Sequence, residues 1–326
     1  MVGFCFLFGM LFIVFMLFFC MQKIQKILYF VFFYLYSKIK KRSFFFKQNS
    51  FFIFKRLSQL WLVQTCTLFF SVLFWVFIFR SFFFEPFHIP SGSMMPTLLA
   101  GDFILVNKFS YNIKNPITKK IIINVSVPKR GDVVVFKNPL NPKLYYVKRI
   151  VGLPGDKVKY DVYKKQLTIR YNYVYKDKKY SKIFPMFYSD IIPSDFIKIF
   201  CSNDTNNFIN IPCDSMLESN FPSIRLMQCK EYMGDIFHYI FIIPGYQDFC
   251  HMYYKQPGTL SAEWIVPNGK YFMMGDNRDN SSDSRYFGFV PKENLVGKVS
   301  MIWLSFDKQN KNFPFYVRFK RIGLVF

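Results

Sequence analysis

The sequence predicts a mainly β protein: an antiparallel β body with an inserted second β lobe, anchored by two N-terminal transmembrane helices. Three observations predict it. Residues 3–21 and 61–79 are apolar runs without a charge, and the chain's 45 phenylalanines crowd toward that front. From Phe82 onward, short runs of Val, Ile, Phe and Tyr are broken by Gly, Pro, Asn and Asp, the texture of strands joined by turns. A stretch at 176–256 is more polar and carries Cys201, Cys213, Cys229 and Cys250.

The first run, GFCFLFGMLFIVFMLFFCM, approaches the roughly twenty residues that cross a hydrocarbon core. A cleaved signal peptide needs a basic start and a small-residue cleavage site, whereas this run begins at once and ends in Met21-Gln22-Lys23. Residues 1–22 are therefore expected to form the first transmembrane segment and 61–79 the second, with Trp61 and Arg80 at its interfaces. Between them, residues 23–60 hold Lys23, Lys26, Lys38, Lys40, Lys41, Arg42, Lys47, Lys55 and Arg56 and no acid. Positive charge stays on the cytoplasmic side, so everything after Arg80 is expected on the extracytoplasmic side. Residues 27–36 are apolar but too short to span, and read as interfacial or as an extension of the first helix.

The soluble part divides into a β domain at 80–175 and 257–326 and the inserted lobe at 176–256. Expected strands include Phe103–Val106, Asp132–Phe136, Tyr145–Val151, His238–Ile243 and Val299–Leu304. The net charge of +23 would suit a nucleic-acid partner, but no helix-turn-helix or zinc-finger pattern accompanies it, and no nucleic acid is expected. The cysteines form no C-x-x-C pair, which argues against zinc ribbons and thioredoxin-type sites. The four in the lobe permit three pairings. His88, His238 and His251 are scattered, so no metal and no cofactor is expected.

Chemistry enters with FEPFHIPSGSMMPT at 84–97. Its Pro and Gly suit ordinary turns, and its serines become nucleophiles only beside a base. His88 lies close in sequence to Ser93. A second base is available in YYVKRIVG at 145–152: on a strand, Tyr146, Lys148 and Ile150 share one face, which sets the lysine between apolar neighbours. Burial disfavours ammonium, and a depression of about three units, costing about 4 kcal/mol, brings an amine near neutrality. Arg149 cannot serve, because guanidinium keeps its proton. A Ser-x-x-Lys helix of the β-lactamase kind is excluded by Pro96. The run GDNRDNSSDSR at 275–285 fails as a calcium loop, since Arg278 stands where Asp or Asn is needed and the glycine is absent. It fits a tight polar loop, with Asp283 paired to Arg285 or Arg278.

PSGSMMPT followed by GDFILV, PKRGDVVVF at 128–136, YVKRIVGLPGD at 146–156, GDNRDNSSDSRYFGFVP at 275–291 and the closing VGKVSMIWLSFD together resemble the successive motifs of bacterial type I signal peptidases, in family order. The resemblance implies a membrane-bound serine endopeptidase of the bacterial inner membrane, whose partners are the lipid bilayer and the signal peptides of secretory preproteins. It implies that Ser93 attacks, Lys148 takes its proton, Ser281 orients the lysine, and the Ser93 N–H with the Ser91 hydroxyl holds the oxyanion. Gly275, Asp276, Asp283 and Arg285 would support the site. Phe87, Ile89, Met94, Leu98, Tyr146 and Val147 would line shallow pockets for small residues at −1 and −3. Two features depart from the pattern: His88 replaces an uncharged polar residue, and the lobe's cysteines are not placed as in the family, so no disulfide pairing carries over.

Overall fold

In the computed structural model the described residues are 69–70, 84–114, 121–175, 178–200, 208–212, 223–307 and 317–325. The two expected membrane segments and the basic connector lie outside them, apart from Phe69 and Phe70, which are helical and exposed. Among the described residues no helix is long and apolar enough to cross a membrane.

From Phe84 the chain runs almost entirely as strands, because alternating β-branched and aromatic residues bury one face of a pleated ribbon. β1 (Phe84–His88) pairs with β2 (Asp102–Asn107), and β3 (Asn112–Lys114) with β4 (Ile121–Asn124). β5 (Val133–Lys137) and β6 (Tyr145–Gly152) form the next pair, followed by a ribbon of β7 (Lys157–Asp161), β8 (Gln166–Tyr175) and β9 (Lys178–Ile183). β10 (Met186–Tyr188), β11 (Ile192–Phe200), β12 (Phe208–Pro212), β13 (Ser223–Met233) and β14 (Ile236–Ile242) make a separate five-stranded sheet. The chain then returns through β15 (Glu263–Ile265), β16 (Lys270–Met274), β17 (Val290–Pro291), β18 (Leu295–Ser305) and β19 (Gly323–Leu324). All these strand pairings are antiparallel. The five strands expected from sequence are present as β2, β5, β6, β14 and β18.

The principal sheet has the order β1-β2-β18-β5-β6-β16-β17, with β19 on β18. One core cluster under it joins Ile89, Met94, Leu98, Ile104 and Val106 to Val133, Val135, Val299 and Ile302. A second gathers Tyr111, Val134, Phe136, Ile150, Tyr271 and Met273. The five-stranded sheet meets this body through Leu226, Phe241 and Ile243, which pack on Met95 and Leu99 just past Ser93. Two parts of the chain far apart in sequence are thus seated on the turn that carries Ser93. Cys229 and Cys250 are free thiols.

Candidate active site

The link between β1 and β2 folds into consecutive turns, with the Met95 N–H on the Gly92 carbonyl and the Leu98 N–H on the Met94 carbonyl. Apolar Met94, Met95, Leu98 and Leu99 drive this segment into the core, which leaves Ser93 half-buried and Ser91 exposed. β6 supplies the second group. Its alternation sends Tyr146 and Ile150 into one cluster and Val147 into another, and Lys148 is carried under the body with only 4% of its surface exposed. The Lys148 Nζ lies 2.5 Å from Ser93 Oγ and 5.8 Å from the Tyr146 ring centre. Burial pushes the Lys148 amine down from 10.5 to about 8; Asp283 and Asp276 pull it up and Arg285 pushes it further down, but desolvation dominates.

The third segment arrives by register. Met274 at the end of β16 pairs with Arg149, so the chain running on from it passes Lys148. There Gly275 lies against the Ser93 turn: a Cβ on it would stand 2.6 Å from the Ser93 carbonyl oxygen and 2.6 Å from Ser281 Cβ. Asn277 fastens the same turn, donating its backbone N–H to the Ser93 carbonyl at 3.1 Å and its side-chain amide to the Gly92 carbonyl at 3.0 Å. Asp276 forms a buried fork with Arg149, at 2.9 Å to Nε and 2.7 Å to Nη2, and accepts the Thr97 hydroxyl at 2.5 Å. Burial opposes its ionisation, but Arg149 and the hydroxyl hold its carboxyl below the usual range.

Asp283 pairs with Arg285 rather than Arg278, with Nε 2.9 Å from Oδ1. It caps the one-turn helix α1 (Ser284–Phe287) and accepts the Gly275 N–H at 3.1 Å. Burial alone would raise its pKa, yet Arg285, the Gly275 N–H and Lys148 hold it low. Arg278 pairs instead with Glu231 of β13. The Ser281 hydroxyl is buried without a hydrogen-bond partner, so the expected bond to Lys148 is not made in this arrangement.

The structure therefore brings Ser93, Lys148, Gly275, Asp276, Asp283 and Arg285 together. The six pocket residues divide: Phe87, Ile89, Met94, Leu98 and Val147 share one cluster, while Tyr146 packs beside Phe136 and Phe287. His88 is exposed on β1, its ring against Phe103. Sequence reasoning missed Thr97 and Asn277, and the Glu231–His238 pair of β13 and β14. The signal for that pair was present, because a Gly234-Asp235 turn places Glu231 opposite His238.

A serine hydroxyl in contact with a buried, partly neutral lysine can act as an activated nucleophile. The model for the family "Signal peptidase, peptidase S26" matches residues 62–304. A signal peptidase I of Buchnera aphidicola subsp. Schizaphis graminum is 48% identical over 257 residues, covering 79% of this chain and 80% of that one. Its counterpart from Buchnera aphidicola subsp. Baizongia pistaciae is 48% identical over 264 residues, covering 81% and 84%. That of Haemophilus influenzae is 38% identical over 279 residues, covering 77% and 72%. Together, the matched length and these identities establish that the chain belongs to the signal peptidase family, peptidase S26, and is a serine peptidase.

Proposed function

We propose that this chain is a membrane-bound signal peptidase I, which cleaves signal peptides from exported preproteins after small residues at −1 and −3 with Ser93 as nucleophile and Lys148 as general base. The observation that carries the reading is the 2.5 Å contact between Lys148 Nζ and Ser93 Oγ, with the amine buried and its pKa brought down to about 8. In the neutral form the lysine lone pair accepts the Ser93 proton as Oγ bonds to the scissile carbonyl carbon. The resulting ammonium returns that proton to the departing amine, and water repeats the sequence to release the acyl group. Arg149, beside it on β6, is paired with Asp276.

The Ser93 N–H and the Ser91 hydroxyl are the donors proposed for the oxyanion, and Ser281 the residue that orients Lys148 once substrate fills the site. Phe87, Ile89, Met94, Leu98, Tyr146 and Val147 would select small side chains by excluding bulk. Residues 176–256 form the second lobe of this reading. The apolar runs at 3–21 and 61–79 and the all-basic connector support two membrane spans with the catalytic domain on the periplasmic side of the inner membrane. Protease added outside spheroplasts should then reach the chain after Arg80 and spare residues 23–60; the reverse pattern defeats this topology.

The test of the activity is incubation of the detergent-solubilised chain with a secretory preprotein bearing Ala at −1 and −3. A single cut after −1, abolished in a folded Ser93→Ala variant, is expected. Undiminished cutting by that variant overturns the reading.

A further inference from the structure

His238 lies outside the dyad and is absent from the chemistry described above, yet it is buried to 5% exposure at the junction of the five-stranded sheet and the catalytic loop. Its Nε2 is 3.0 Å from Glu231 Oε2 on β13 and 3.6 Å from Asp276 Oδ1, the carboxylate that forks Arg149. Neither ring nitrogen has a partner in good hydrogen-bond geometry. A buried polar group left in that condition costs free energy, and such costs are kept where a site needs the group.

The hairpin explains how the residue gets there. β13 and β14 pair with Glu231 opposite His238, and the Phe241 N–H, three residues on, binds the Asp276 carbonyl at 2.9 Å. β14 therefore holds Asp276 by the backbone at Phe241 and brings the His238 ring to within 3.6 Å of its carboxylate. Glu231 is in turn bound by Arg278 of the catalytic loop and by the Tyr188 hydroxyl at 2.5 Å. We propose that His238 is a positioning residue for the Ser93–Lys148 pair: wedged between Glu231 and Asp276, its Nε2 edge sets the place of the Asp276 carboxylate, and through Asp276 the field and geometry at Lys148.

The charged groups around the imidazole are Glu231 on β13, Asp276 after β16, Arg149 on β6 and, behind Glu231, Arg278. Two carboxylates and two guanidiniums balance, so a neutral ring leaves the cluster uncharged, whereas an imidazolium would add an unpaired buried charge. Burial, with Arg149 next in weight, correspondingly pushes the His238 pKa down, against the pull of Asp276 and Glu231. Asp276 raises the pKa of Lys148, so a polar N–H edge beside that carboxylate weakens its hold on the ammonium form. Removing the N–H should make Lys148 harder to deprotonate and loosen the loop that carries it.

This inference rests on the signal peptidase reading, and the experiment separates the two. Cleavage of one preprotein by the full chain in detergent is followed against pH for wild type, Ser93→Ala, His238→Leu, His238→Asn and His238→Gln. Leucine removes the N–H, and asparagine is too short to place one at Nε2; glutamine can. For Leu and Asn, kcat is expected to fall about ten-fold with KM nearly unchanged, since a small misplacement costs turnover first. The acidic limb of the profile should move up by about half a unit. Glutamine should restore most of both. Wild-type kcat and pH profile in the Leu or Asn variant, or a Gln variant as impaired as Leu, overturns the role of His238 while leaving the peptidase reading intact. Absence of cleavage by the wild type defeats that reading itself. Asparagine retains a polar group at the site, so a Leu variant that fails to fold still leaves the Asn and Gln pair to decide.

Discussion

Asn277 donates its backbone N–H to the carbonyl oxygen of Ser93, 3.1 Å away and 184 positions earlier in the chain. The loop at 275–285 is thereby tied to the peptide group of Ser93, the proposed nucleophile. Gly275, two residues before, fits only because it has no side chain: a Cβ there would press on Ser281 and on the Ser93 carbonyl.

Gly275→Ala should therefore separate the loop from the Ser93 turn. Overpacking of this kind costs about 1 to 3 kcal/mol of stability, and displacing Ser93 by about 1 Å is expected to lower kcat by up to about a hundred-fold. Denaturant unfolding and preprotein cleavage measure the two effects, and a variant equal to wild type in both would show that the contact tolerates a methyl group.

The pH profile follows from the lysine. With its pKa lowered to about 8, Lys148 is available as a base above that pH and is protonated below it. On the acidic side kcat/KM should fall by about ten-fold per pH unit. Lys148→Arg should fold and be inactive, because guanidinium keeps its charge, whereas His88→Gln should change little, its ring lying exposed against Phe103. An active Lys148→Arg enzyme, or a His88→Gln enzyme that loses turnover, would transfer the role of base to His88.

The same amine costs stability. Its folded pKa lies below the unfolded value of 10.5, so the fold disfavours the ammonium. The penalty is complete below about 8, amounts to about 3 kcal/mol, and vanishes as pH rises past 10.5. Lys148→Met, close to it in shape, should be inactive but more stable at pH 7 by about 1 to 3 kcal/mol, with the gain gone near pH 11. Unfolding midpoints at the two pH values check this; a less stable variant at pH 7 is the contrary result.

Much of this architecture was legible because its signals are local. Strand alternation gives β2, β5, β6, β14 and β18 directly, and the run at 145–152 shows why Lys148 is carried inward with Arg149 on the opposite face. The partner of that arginine was not legible: Asp276, Asp279 and Asp283 lie within eight positions, and only the pairing of Met274 with Arg149 selects Asp276. The choice between Arg278 and Arg285 for Asp283 was open for the same reason. Arg278 is claimed by Glu231, 47 positions earlier, through a sheet whose docking no local pattern reveals. Asn277 and Thr97 act through neighbours brought in by that docking, and a polar side chain in sequence does not announce which backbone it will hold.

The place of β18 in the principal sheet bears on how the molecule comes into being. Ser93 sits between β1 and β2, and Lys148 on β6, while β18 lies between β2 and β5 and is hydrogen-bonded to both. Residues 295–305 are thus the keystone between the half of the sheet that carries Ser93 and the half that carries Lys148. A chain emerging from the ribosome carries both reactive groups long before that strand appears, but the halves have no shared ladder until it inserts. Alignment of the proposed Ser93–Lys148 pair is therefore expected only once residues 295–305 have been synthesised.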